Sequence, residues 1–155
     1  MRQTGTIGRR KMAFRLSNAA MTTPETLLYV EAVLMLPLFL LGVSHIVQRQ
    51  MWTDFFIGLA QKGHAGVVWR TFMLELWPAV LIVMFHQDWR WPGILITVYG
   101  HLLMVKVALS LLVPSLGLKS LQQADRHGSW AFLPAGLVLI ALSAVCAVRV
   151  IPAYL

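Results

Sequence analysis

The sequence predicts an all-α integral membrane protein, a bundle of four spanning helices with a short interfacial helix between spans one and two. Three observations carry that expectation. Four apolar runs, 27–47, 67–85, 93–113 and 131–150, each hold about 20 residues, and a helix needs ~20 at 1.5 Å rise to cross a ~30 Å hydrocarbon core. The runs are continuous rather than alternating, so helices rather than barrel strands satisfy their backbone amides. Charged residues make up only 12% of the chain, against ~25% in soluble domains. The expected organisation is a basic tail over 1–24 and a four-span domain over 25–155.

The tail holds five of the thirteen basic residues, Arg2, Arg9, Arg10, Lys11 and Arg15, and no acid precedes Glu25. Such a tail meets anionic lipid headgroups and biases orientation. Nucleic acid is not an expected partner, because the charge is not organised on a soluble module. The tail has neither the short apolar core nor the cleavage site of a secretory signal, but its Arg-rich, acid-free composition also fits an organellar transit peptide. A further alternative is that translation begins at Met12 or Met21, leaving the preceding tail out of the mature protein, with Thr23 capping a helix entered through Pro24.

The connection after span one reads QRQMWTDFFIGLAQKGHAG. Thr53 is expected to cap a short helix there and Gly63 to end it, with Phe55, Phe56 and Leu59 on its apolar side, lying in the membrane interface. The second connection, HQDWRWPG, is tight; Trp89 and Trp91 suit the headgroup layer, and Pro92 can start span three. The third, PSLGLKSLQQADRHGS, has room for a helical turn, and Trp130 anchors span four. Gly136, Ser143, Ala144 and Ala147 form a small-residue stripe that allows close helix approach. With the N-terminus, loop two and the C-terminus on one side, seven Lys and Arg stand there and five on the other, which favours an N-in, C-in arrangement; without the first 20 residues the count is two against five and the answer reverses. A bacterial inner membrane is the expected location, an organellar inner membrane the alternative.

Ionisable groups in hydrocarbon cost at least ~2.5 kcal/mol at mid-span, so each needs a partner or a task. The candidate intramembrane polar network is Glu31, His45, Arg70, Glu75, His101 and Lys106. Counted from the face bearing loops one and three, Glu75 lies ~12 Å deep in span two and Lys106 ~10 Å deep in span three, so the two are expected to pair. Such a pair can simply hold helices in register, or serve proton or substrate movement. Arg70 is expected to snorkel to phosphate or to reach His45. Glu31 lies ~6 Å inside the opposite face, within reach of water. His101, near mid-depth, is expected to bond a neighbouring span.

No cofactor is called for. His86 and His101 differ in depth by ~12 Å, and His45 belongs to the other face, so no histidine pair matches for haem. His64 and His127 could meet His45 near one surface, but without metal-ligand spacing. The single cysteine, Cys146, supplies neither a disulfide nor a redox pair. Phosphate-loop, dinucleotide, HExxH and GxSxG patterns are absent.

A first span ending in LGVSHIVQ, an aromatic stretch MWTDFF and a second span with FMLELWP resemble the DoxX-like group of small four-helix membrane proteins, although Trp77 and Pro78 replace that group's glycine-rich continuation. The resemblance implies an accessory membrane subunit, with some relatives looking like parts of quinone-linked oxidoreductases. The leading expectation is therefore an accessory or structural subunit that contacts lipids and other membrane subunits. The alternatives are a small proton-coupled transporter, drawing on the intramembrane charges, and a membrane component of a quinone-linked oxidoreductase.

Overall fold

The computed structural model describes residues 23–154, without the side chains of residues 123–127. The basic tail, including Met12 and Met21, and the side chains of Arg126 and His127 lie outside the described residues. Four helices are long and apolar enough to cross a membrane: Pro24–Val47, His64–Phe85, Ile94–Leu112 and Gly128–Tyr154. The all-α bundle expected from the apolar runs is what the chain forms, and its composition makes it an integral membrane protein.

Span one is α1 (Pro24–Val47). Its first turn is set by Pro24 and by Thr23, whose Oγ1 accepts from the Thr26 amide at 3.2 Å. A second helix, α2 (Arg49–Gln61), follows almost without a break and ends where Gly63 takes φ 59°, a left-handed conformation that favours glycine. Span two is composite: α3 (His64–Arg70), a π-helical stretch (Thr71–Leu76) and α4 (Trp77–Phe85). Pro78 explains the break. It has no N–H to offer the Leu74 carbonyl and its ring presses on that carbonyl, so the preceding turn widens. Span three is α5 (Ile94–Leu112). Helix α6 (Pro114–His127) and a 3₁₀ turn (Gly128–Ala131) lead into α7 (Phe132–Tyr154), which completes span four.

The spans pack as two pairs. Span one lies along span four over much of its length, span two lies against span three, and contact between the pairs is thinner. Gly42 and Gly136 make the first pairing close. A Cβ on Gly42 would sit 2.9 Å from the Gly136 carbonyl oxygen, and one on Gly136 2.7 Å from that of Gly42. Ser143 Oγ–H donates to the Met35 carbonyl at 2.8 Å across the same seam. Buried Gly136, Ser143, Cys146 and Val150 mark the seam on α7. Ala144 faces outward and Ala147 is only half-buried, so the small-residue stripe runs through Cys146 instead. Val30, Leu34, Leu38, Ile82, Ile96, Leu142 and Cys146 form the main core.

Helices α2 and α6 cover one end of the bundle, here called the lid end; loop two and both chain ends of the four-span domain lie at the opposite, loop-two end. Three expectations for the lid need correction. Thr53 is inside α2, with its hydroxyl donating to the Arg49 carbonyl at 2.9 Å, so it is no cap. The buried side of α2 runs through Trp52, Phe56 and Leu59, while Phe55 faces out. The third connection is not one turn but all of α6, a 14-residue helix whose Leu118 and Leu121 pack onto Leu59 and Val67.

Candidate functional site: two polar clusters and an apolar cleft

At the loop-two end, Glu31 is fully buried. His86 Nε2–H donates to its Oε1 at 2.7 Å, and Arg149 Nε lies 3.2 Å from Oε2, close enough for charge attraction though not aligned as a hydrogen bond. Arg149 also grips Asp88 Oδ2 at 2.7 Å. Thr97, at the start of α5, ties in the loop: its Oγ1 is 3.0 Å from His86 Nδ1, accepts from the Asp88 amide at 3.2 Å and lies 2.9 Å from the Asp88 carbonyl. Gly93 leaves space for the clasp, since a Cβ there would meet Arg149 Nη1 and the Asp88 carboxylate. Partial burial works to raise the Asp88 pKa, but the Arg90 amide and the Arg149 guanidinium outweigh it and hold the carboxyl below its ordinary value.

Glu31 is therefore not within reach of water. Arg149, at the edge of the fourth apolar run, turns inward. The hydropathy boundary at 150 hid this, because the helix continues to Tyr154 and places Arg149 five residues, ~7.5 Å, from its end. His86, Asp88, Thr97 and Arg149 were the residues that sequence reasoning missed as partners. Matching depths across spans, the argument that paired Glu75 with Lys106, would have found Arg149 had the span been drawn to its true end.

Toward the lid end, Lys106 Nζ donates to Glu75 Oε1 at 2.7 Å, and Arg70 Nε stands 3.4 Å from the same oxygen. Arg70 does not snorkel to phosphate and does not reach His45. It is buried, and its Nη1 and Nη2 donate to Ser120 and Ser110 at 3.3 and 3.2 Å. Glu75 belongs to the π-helical stretch, and its Oε2 has no hydrogen-bond partner among the described residues. Lys106 differs from the others in keeping 49% of its side chain exposed.

That exposure opens onto a cleft of about 1090 Å³ between the two helix pairs. Leu34, Pro37, Leu81, Phe85, Leu103 and Leu139 are typical of its wall, and His45, Glu75, Tyr99 and Lys106 are its polar points. His45 sits at the lid end. Its Nδ1–H donates to the Leu41 carbonyl at 2.7 Å, and its ring stacks on Trp52 with centroids 4.3 Å apart. Phe132 and Phe56 continue this aromatic floor. His101 joins neither cluster: its Nδ1–H donates to Thr97 O at 2.8 Å within its own helix, not to a neighbouring span, beside the Trp89 ring.

The six candidate residues thus divide. Arg70, Glu75 and Lys106 come together; Glu31 belongs to a separate cluster; His45 lines the cleft floor; His101 stands alone. Among the described residues, no three of His, Cys, Asp and Glu converge to hold a metal ion. What the arrangement offers chemically is a large apolar cleft with a carboxylate–ammonium pair on its wall, and a sealed ion cluster that ties three spans and loop two together. No family model, curated protein or solved structure matches this chain.

Proposed function

We propose that this protein takes up a bilayer-soluble amphiphile in the cleft between its helix pairs and works as a small membrane carrier. The observation that carries the reading is the Glu75–Lys106 pair on an otherwise apolar wall. Small-molecule sites are mostly apolar concavities of ~300–1,000 Å³ with a few placed polar groups, and the cleft has that character. Ionisable groups inside a bilayer mark such paths when they face a cavity rather than lipid. Pro37 and Pro78, one on each side of the cleft, each remove a backbone N–H from the helix ladder, and the turn before Pro78 is π-helical. Proton coupling, if transport uses it, belongs to Glu75, the carboxylate that lines the cleft.

The test is binding in nanodiscs of zwitterionic lipid, read by quenching of Trp52 and Trp77, both on the cleft wall. Brominated long-chain amphiphiles should quench saturably, and Val80→Phe, which narrows the cleft, should weaken the saturable part. Quenching that only rises linearly with ligand, as for partition into lipid, would overturn the reading.

A second reading, an accessory subunit of a larger membrane complex in the manner of the DoxX-like group, draws on the outer edge of span two beside the cleft. Trp69, Phe72, Met73 and Trp77 form an exposed apolar ridge along span two, of which Met73 and Trp77 also border the cleft, and Trp77 lies ~12 Å from the span's end, deeper than the interfacial layer that tryptophan favours. A stoichiometric partner recovered in mild detergent and lost with Phe72→Ala would support it; a lone monodisperse species would contradict it. For either reading the seven-to-five bias of basic residues favours loop two on the inner side, in a bacterial inner membrane.

A further inference from the structure

Resting on the cleft as a binding site, the geometry points to its guest: a single-chain amphiphile with an anionic head, a long-chain carboxylate, whose head meets Lys106 and whose tail runs along the apolar wall toward Phe85.

Charge decides the sign of the head. Two cations, Arg70 and Lys106, share one carboxylate, Glu75. Arg70 is buried and directed at Glu75, Ser110 and Ser120. Lys106 has three N–H donors, gives one to Glu75, and is the half-exposed member of the cluster. An anion at Lys106 would balance the second cation. A cationic head would compete with Lys106 for Glu75, and a neutral head would leave the excess charge in hydrocarbon, where charge is expensive.

Depth decides the kind of anion. Lys106 lies ~10 Å below the lid end, so a phospholipid would have to draw a phosphodiester and its glycerol out of the headgroup layer to reach it. A carboxylate is compact enough to meet one ammonium there. From Glu75 to Phe85 the wall rises ten residues, ~15 Å along the helix, which suits an acyl tail. The aromatic floor of His45, Trp52 and Phe132 closes the cleft beyond the head. A second cavity, of about 280 Å³, reaches Lys106 from beneath α6 and is bordered by Ser110 and Ser120.

The experiment compares four brominated ligands of equal chain length in the same nanodiscs: a carboxylate, an alcohol, an amine and a phosphatidylglycerol, each read by saturable Trp77 quenching with Trp77→Phe as the control. The carboxylate should bind at least about tenfold tighter than the alcohol and the amine, the scale of one charge-assisted hydrogen bond. Lys106→Gln should remove that advantage, and Lys106→Arg should keep most of it, so that loss in the first variant cannot be put down to misfolding. Equal binding of alcohol and carboxylate, or an advantage that survives Lys106→Gln, would overturn the anionic head while leaving the cleft reading intact. Phosphatidylglycerol displacing the carboxylate at equal mole fraction would overturn the single-chain guest. Absence of saturable quenching by all four ligands would remove both the guest and the cleft reading.

Discussion

Glu31 and Glu75 are both carboxylates inside the same bundle, both facing cations, yet their surroundings differ. Glu31 is fully buried: His86 Nε2–H donates to one oxygen, the Arg149 guanidinium lies 3.2 Å from the other, and Asp88 holds Arg149 from the far side. Glu75 stands in a widened turn, shares one oxygen between two cations and faces a cleft through a half-exposed lysine. A buried ion pair is weak evidence of function by itself, because it can serve only to fix helices in register. The contrast separates the two roles here. The closed cluster ties spans one, three and four to loop two. The open one presents charge to a space large enough for a guest.

Breaking the closed cluster should have the largest effect. Glu31→Ala strands Arg149 and His86 and should cost about 3–5 kcal/mol of stability, read as a lowered thermal midpoint in detergent; a midpoint within a degree or two of wild type would dismiss the structural role. Next comes the seam between spans one and four. Gly42→Leu has to push the Gly136 backbone and Ile140 aside and should cost about 1–3 kcal/mol, whereas the same change at Gly58, which has open space around it, should have little effect on packing. Similar losses at both positions would show that the close approach of spans one and four is not what matters. Lys106→Gln should cost only about 1 kcal/mol, because Arg70 still faces Glu75, and should chiefly change ligand binding. The smallest effect concerns pH. The folded state holds the Asp88 pKa below its ordinary value, so its contribution is complete above about 4 and is lost as pH falls through the lower folded value. Thermal midpoints of wild type and Asp88→Asn should therefore converge in acid and separate toward neutral pH; a constant gap would contradict the clasp.

The sequence made the bundle legible because lipid demands long uninterrupted apolar helices, and nothing else in 155 residues produces four such runs. Depth counting also placed Glu75 and Lys106 level, and they lie 2.7 Å apart. The rest was hidden for identifiable reasons. Hydropathy windows stop at charges, so Arg149 read as a flanking residue although α7 carries it inside. Helix α6 was overlooked because its polar face dominates its composition, while its buried side rests on Leu118 and Leu121. The π-helical stretch follows from Pro78, which is visible in the sequence, but how a helix absorbs a proline depends on what packs around it. The cleft had no sequence signature at all. It arises from how two helix pairs diverge, and apolar residues lining a cavity look the same as those facing lipid.

The most direct measurement sets Glu31→Gln beside Lys106→Gln in one preparation, recording thermal stability and affinity for a long-chain carboxylate together. A sealed strut and an open binding charge predict opposite losses: Glu31→Gln lowers the midpoint and leaves the affinity of the folded protein unchanged, while Lys106→Gln leaves the midpoint nearly unchanged and lowers affinity about tenfold or more. Both variants losing stability alone, or both losing affinity in parallel, would contradict the division of the two clusters.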